Sequence, residues 1–243
     1  LNLAVHIFTA VIIIIMSSFI DTNAFTWRPK VIVFDLLTAL LDSWSLWDAS
    51  TPSRSPEEGR NWRARYLEIT FGAGAYVPYE DLVRQAAYDV GLPDSAPTAL
   101  LRDWADLKAW PDVAEVLTVL RAKGYKLGVV TNCSNRLGHI AAQKAGKGAV
   151  EGSANDAFDT VIAAEESGFY KPTREAYMAI LNSMGFEPED VLFVAGSAGD
   201  VEGATHAGMR VVWHNRVGLA KKGKAVPLKE SSTLKDTLSQ FLV

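Results

Sequence analysis

The chain has 243 residues, 49% of them hydrophobic and 21% charged, with a formal net charge of −4. That length and apolar content suit one α/β domain carrying an insertion around a sizeable core, and they exclude a disordered chain. The acidic balance and the lack of a dense Lys/Arg run argue against nucleic acid as a partner, while a lone cysteine, Cys133, excludes an internal disulfide and a cysteine-built metal cage.

The amino-terminal stretch from Leu3 to Ile20 is strongly apolar, with an unbroken isoleucine run from Ile12 to Ile15. Such a run suggests a signal peptide or a short membrane anchor. Against both, no Lys or Arg precedes it and no clear small-residue cleavage site follows. Met16 stands directly before the polar pair Ser17-Ser18. The expectation is a start at Met16, with residues 1–27 an extension outside the fold, and a cytoplasmic protein without stable membrane association. Export or anchoring through residues 1–20 is the alternative.

Val31-Ile32-Val33-Phe34 then forms a short continuous apolar run, the pattern of a buried parallel strand, and it delivers Asp35 into the break Leu36-Leu37-Thr38. A carboxylate at a strand end serves as a nucleophile, a metal ligand or a structural cap. From about Ser43 to Leu107 the pattern is helical, with Trp62, Tyr66, Ile69 and Phe71 as apolar positions and Glu80 to Val90 as a second amphipathic stretch. This predicts a helical cap over 43–107, inserted into a core made of 28–42 and 108–243. The core resumes with a helix from Val113 to Ala122, which Pro111 or Asp112 starts and Gly124 stops. Alternation follows: strand Lys126 to Val130, helix near Asn135 to Lys144, strand Thr160 to Ala163, helix Arg174 to Met184, strand Val191 to Ala195, helix Val201 to Ala207, and strand Arg210 to Trp213. Ala145 to Asn155 is expected to be a surface loop, and Ser231 to Leu242 a terminal amphipathic helix. The fold class is therefore α/β, a doubly wound parallel sheet with right-handed crossovers and an inserted helical cap.

Open α/β sheets place their chemistry where the strands end. After the second strand come Thr131 and Asn132. Lys171, in Gly168-Phe169-Tyr170-Lys171-Pro172, follows the third, and Gly196, Ser197 and Asp200 follow the fourth. An acid, a hydroxyl with an amide, a lysine and a second acid thus converge in a fixed chain order. The four histidines show no pairing at metal-ligand spacing, and Cys133 is expected to be a buried thiol.

This order resembles the haloacid dehalogenase-like hydrolase superfamily from Lys30 to about Arg216, and most closely its L-2-haloacid dehalogenase branch. Phosphatases of that group carry a second Asp two residues after the nucleophile to protonate a leaving alkoxide; here that position is Leu37. Halide departs without a proton. Dehalogenases of the branch also carry Trp-Arg and then Leu-Glu in the first cap helix, matched by Trp62-Arg63 and Leu67-Glu68. The branch's fourth motif, Ser-Ser-Asn-x-aromatic-Asp, is altered to Ala195-Gly196-Ser197-Ala198-Gly199-Asp200, and Thr38-Ala39 stands where Gly-Thr is usual. These changes remove hydrogen-bond donors and an aromatic wall, so a wider pocket is expected.

The resemblance implies a hydrolase in which Asp35 attacks C2 of a 2-halo acid, giving a covalent ester that water then hydrolyses. Lys171 holds Asp35 ionised, and Asp200 orients Lys171 or activates water. Arg63 receives the halide, while Thr131 and Asn132 donate to the substrate carboxylate or to the non-attacking Asp35 oxygen. Further substrate contacts are expected from Leu37, Thr38, Ser197 and Trp62. No metal or cofactor is expected; the only partner is a small halocarboxylate or related acid, with a homodimer possible. The alternatives are a phosphatase binding Mg²⁺ through Asp35 and Asp200, and a retired domain that binds a ligand without turning it over.

Overall fold

The computed structural model describes residues 27–149 and 157–243. Its sheet has six parallel strands in the order β3-β2-β1-β4-β5-β6. They are β1 (Val31–Phe34), β2 (Lys126–Thr131), β3 (Thr160–Ala163), β4 (Val191–Ala195), β5 (Arg210–His214) and β6 (Glu230–Ser231). Helices α1 (Ser43–Ser50), α2 (Pro56–Ala73), α3 (Tyr79–Asp89) and α4 (Ser95–Arg102) lie between β1 and α5 (Val113–Ala122). The rest are α6 (Asn135–Gly146), α7 (Ala164–Ser167), α8 (Arg174–Met184), α9 (Ala198–His206), α10 (Leu234–Thr237) and α11 (Ser239–Leu242).

Strand period two splits the core into two layers. Ile32, Phe34, Leu127, Val129, Leu192 and Val194 face α5, α6, α10 and α11. Val31, Val33, Val130, Phe193 and Val211 face α8 and α9 on the opposite side. Gly128 lets α8 approach closely, since a Cβ there would lie 2.8 Å from Ile180 Cδ1 and Met184 Sδ. From β1 the chain builds outward to β2 and β3, then crosses back to build β4, β5 and β6 on the other flank. β1 is therefore central, and Asp35 emerges at the switch point, where α/β sheets open a crevice.

The inserted helices leave and rejoin the core through a paired stalk. The Asp42 N–H donates to Lys108 O at 2.8 Å and the Trp110 N–H to Leu40 O at 3.0 Å. Helix α1 is capped by Asp42, whose carboxylate accepts from the Ser45 N–H. Helix α2 is capped by Ser55, with Pro56 at its first position and Glu57 and Glu58 in its first turn.

The structure departs from the sequence expectations at three places. Trp27 packs on the core instead of belonging to an outside extension: it meets Phe241 edge-on at 6.4 Å and lies under Arg210. The remainder of that extension, including the Met16 start, lies outside the described residues. Helix α9 begins at Ala198 and not Val201, because the Ser197 side chain accepts from the Asp200 N–H and starts the helix three residues earlier. The segment expected as one terminal helix is β6 followed by two short helices, with Thr233 capping the first of them. Among the described residues no helix is long and apolar enough to cross a membrane.

Candidate active site

Asp35 is held by the backbone that follows it. Its Oδ2 accepts from the Thr38 N–H at 3.0 Å, the Ala39 N–H at 3.0 Å and the Thr38 hydroxyl at 2.6 Å. The carbonyls of the same turn are tied outward, Thr38 O to the Trp110 indole at 3.1 Å and Ala39 O to His214 Nδ1 at 2.7 Å. Leu37 O, held by the Ser43 hydroxyl, and Thr38 O, held by Trp110, are the carbonyls of the peptides whose N–H groups belong to Thr38 and Ala39, so tying them outward turns those two N–H groups toward the carboxylate. Gly196 makes room for this cradle, since a Cβ there would lie 2.3 Å from Ala39 N.

Lys171 reaches Asp35 from the loop after α7. Its backbone is clamped by Asn132, which accepts from the Lys171 N–H at 2.8 Å and donates to Lys171 O at 2.9 Å. The ammonium donates to Asp35 Oδ1 at 2.8 Å and to Asp200 Oδ2 at 3.0 Å. Asp200 sits in the first turn of α9, and its Oδ1 accepts from the Tyr177 hydroxyl at 2.8 Å. All three charged groups are buried.

One cation between two buried carboxylates treats them unequally. Burial raises the Asp35 pKa, but the Lys171 charge and the bonds from Lys171, Thr38 and Ala39 outweigh it and hold Asp35 below its ordinary 3.8. Burial also dominates at Asp200; Asp35's charge adds to it, and the net shift is upward despite Lys171 and Tyr177. Burial lowers Lys171, yet Asp200 and Asp35 together carry it above 10.5. The triad thus contains one carboxylate fixed in the ionised form and one that accepts a proton more readily.

Across a small cavity of about 50 Å³ from Asp35 stands the cap helix α2. Its Arg63 is buried, with the guanidinium carbon 3.9 Å from the Trp44 ring centroid. Nε and Nη1 find no hydrogen-bond partner. Burial lowers the Arg63 pKa to about 10, leaving it charged at neutral pH. A buried cation with two unpartnered donors thus lines the same cavity as Asp35, a chemistry suited to an anion.

Leu37, Thr38, Asn132 and Ser197 line the same cavity as Asp35, Lys171, Asp200 and Arg63. Two expected residues are placed elsewhere. Thr131 ends β2 with its side chain turned toward α6, where a Cβ on Gly138 would touch its methyl, and its hydroxyl meets only Cys133 Sγ at 3.7 Å. It has no line to the cavity. Trp62 belongs to the cap interior: its indole donates to Val83 O at 3.1 Å and its ring packs on Trp47 at 4.5 Å. Asn132 borders the cavity; its Oδ1 and one N–H of its amide clamp the Lys171 backbone, and the second N–H is left uncommitted. Cys133 is the expected buried thiol, pushed by burial to about 12.

The sequence reading missed four contributors. Trp44 stacks on Arg63, and the Tyr66 hydroxyl donates to Asn132 O at 3.0 Å, tying α2 to the β2 loop. Tyr177 holds Asp200. Phe71 fills the space left by Gly199, where a Cβ would lie 2.8 Å from Phe71 Cε2. The aromatic wall expected to be lost is thus supplied by the cap, and the cavity beside Asp35 is small.

Comparison with known proteins agrees with this architecture. A family of haloacid dehalogenase-like hydrolases matches residues 29–208. An (S)-2-haloacid dehalogenase of Pseudomonas putida is 31% identical over 76% of this chain and 84% of its own. The haloacetate dehalogenase H-2 of a Moraxella species is 28% identical over 79% of this chain and 88% of its own. A solved L-2-haloacid dehalogenase superimposes with a TM-score of 0.77 at 26% identity, covering 89% of this chain and all of the other. This chain belongs to the haloacid dehalogenase-like hydrolases.

Proposed function

We propose that the protein displaces halide from the C2 carbon of a small 2-halo carboxylic acid, with Asp35 as nucleophile. The observation that carries this reading is the buried Arg63 guanidinium with idle donors, facing ionised Asp35 across a cavity in which Leu37 offers no acid. A halide leaves without a proton and needs a cation to receive it; an alkoxide would need the missing acid.

The oxygens of Asp35 have different work. Oδ2 is saturated by three donors, whereas Oδ1 holds only the Lys171 ammonium and keeps a free lone pair. Oδ1 attacks C2, and the carbon–halogen electron pair departs with the halide toward Arg63. The product is an ester whose carbonyl oxygen is Oδ2. Water then attacks Cγ, and negative charge develops on Oδ2 between the Thr38 and Ala39 N–H groups, a ready oxyanion hole. Asp200, the more basic carboxylate, takes the water proton. Collapse breaks the Oδ1–C2 alkoxide from Cγ, with Lys171 donating the proton that it needs. The products are a 2-hydroxy acid, halide and one proton.

A hard divalent cation has poor prospects at this site. The Leu37 side chain brings no oxygen and its carbonyl is taken by the Ser43 hydroxyl, Asp35 Oδ2 is saturated, and the remaining carboxylate oxygens share Lys171 and Tyr177. Among the described residues no group of three or more His, Cys, Asp or Glu side chains is arranged to hold a metal. The test is halide release from 2-chloropropanoate in EDTA, run beside phosphate release from an ester panel with Mg²⁺. Chloride in the first assay supports the reading; phosphate alone overturns it.

Arg63 gives a prediction of opposite signs. In halide-free buffer its idle buried charge opposes folding, so Arg63→Met is expected to stabilise by about 1–3 kcal/mol. The same change should cut kcat/KM by about 10²–10³-fold. Bromide should raise the Tm of the wild type and leave Arg63→Met unmoved. A wild-type Tm indifferent to bromide counts against Arg63 as the halide site.

A further inference from the structure

Beyond the reacting cavity lies a second one of about 480 Å³, within the range of small-molecule sites. Trp44, Leu67, Phe71, Ser197 and Leu219 wall both cavities. The outer one lies between the cap helix α2 and the core segments Ser197–Gly199 and Val217–Lys222. Its interior is mainly apolar, continued by Ala64 and Val217, and charged side chains are confined to exposed positions, Arg60, Glu68 and Lys222. Glu68 is already paired with Arg65 at 3.1 Å, so the rim leans cationic, as suits an anionic substrate arriving from solvent.

The reacting cavity accommodates little beyond a carboxylate, C2 and a halogen. A substituent on C2 must leave it, and the outer cavity, which shares its apolar wall beside Phe71, is the space that adjoins it. Gly199 lets Phe71 hold its place on that wall: any side chain at 199 would collide with the Phe71 ring and push it from its position between the two cavities. We propose that the outer cavity is a subsite for an extended alkyl substituent on C2, so that the preferred substrates are medium-chain 2-haloalkanoates. The assignment rests on the dehalogenase reading for the halogen, but the tail site stands on the cavity alone and is tested without turnover.

The experiment is calorimetric binding of unhalogenated 2-hydroxyalkanoates from 2-hydroxybutanoate to 2-hydroxyoctanoate, to the wild type and to Ala64→Trp. Ala64 is exposed on α2, so the indole fills the outer cavity without touching the core. The wild type should gain up to about fourfold in affinity for each methylene, as burial of a methylene provides. In Ala64→Trp the gain over the series should shrink at least tenfold. An affinity flat with chain length, or a gain that survives Ala64→Trp, overturns the proposal. Halide release from 2-bromopropanoate, measured in parallel, separates the two readings. A chain-length gain without halide release keeps the tail site and removes the dehalogenase; halide release without the gain does the reverse.

Discussion

Asp35→Asn is expected to abolish halide release while the protein stays folded. The amide matches the carboxylate in shape, and its oxygen can still accept from the Thr38 and Ala39 N–H groups. Its NH₂ then faces the Lys171 ammonium, replacing an acceptor with a donor, and it has no charge to push onto C2. Loss of a nucleophile that works as part of a unit costs roughly 10⁴-fold or more in kcat. Lys171 keeps Asp200 as a partner, so the Tm should change far less than the rate. Chloride release from 2-chloropropanoate beside a thermal melt checks both halves. An active, folded Asp35→Asn enzyme would leave the mechanism without a nucleophile.

Lys171→Met should damage both stability and rate. The ammonium is the shared counter-charge of two buried carboxylates, and removing one member of such a cluster costs about 3–5 kcal/mol. The pH dependence has a definite sign. Asp35 is depressed, so its contribution to stability is present above 3.8 and is lost as pH falls through its lower folded value. Lys171 is raised, so its contribution is present below 10.5 and is lost as pH rises through its higher folded value. Asp200 is raised and opposes both, subtracting stability as pH rises above 3.8. The wild type should therefore show a plateau across neutral pH bounded by these two losses. In Lys171→Met the plateau should vanish and stability should fall as pH rises through the acid range, because two uncompensated carboxylates must ionise together. Turnover should drop by about 10²–10³-fold, with the acid limb of kcat/KM moved upward as Asp35 loses the charge that kept it ionised. A pH–stability profile parallel to the wild type would contradict this account of the triad.

The sheet was legible because buried parallel strands are continuous apolar runs, and Val31–Phe34 and Val191–Ala195 are bounded by Lys30 and Asp35 and by Asp190 and Gly196, which make them too short for a helix. Asp35, Lys171 and Asp200 were legible for a related reason: charged residues at the ends of such strands converge by topology. Arg63 came from its local motif, and the 50 Å³ cavity shared with Asp35 gives it a physical basis. What escaped depended on side-chain direction. Thr131 ends a strand, and strand alternation turns it toward α6; Trp62 and Arg63 are neighbours on a helix, so only one of them faces Asp35. Tyr66 and Tyr177 sit at helix positions that read as apolar packing, and nothing local announces that their hydroxyls end on Asn132 and Asp200. The early start of α9 was hidden in the small-residue run Ala195 to Gly199, where one serine supplies the cap. Phe71 and Gly199 are far apart in sequence, and their complementarity exists only in the folded chain.

The central claim is that Asp35 becomes covalently esterified and that water attacks its Cγ. A single turnover in H₂¹⁸O with enzyme in excess over 2-chloropropanoate tests it directly, followed by mass spectrometry of the peptide containing Asp35 and of the product. The account predicts ¹⁸O in the Asp35 carboxylate and unlabelled hydroxyl oxygen in the first product, because that oxygen was Oδ1. Label in the product hydroxyl with none in Asp35 would mean that water attacks C2 itself, and would contradict it.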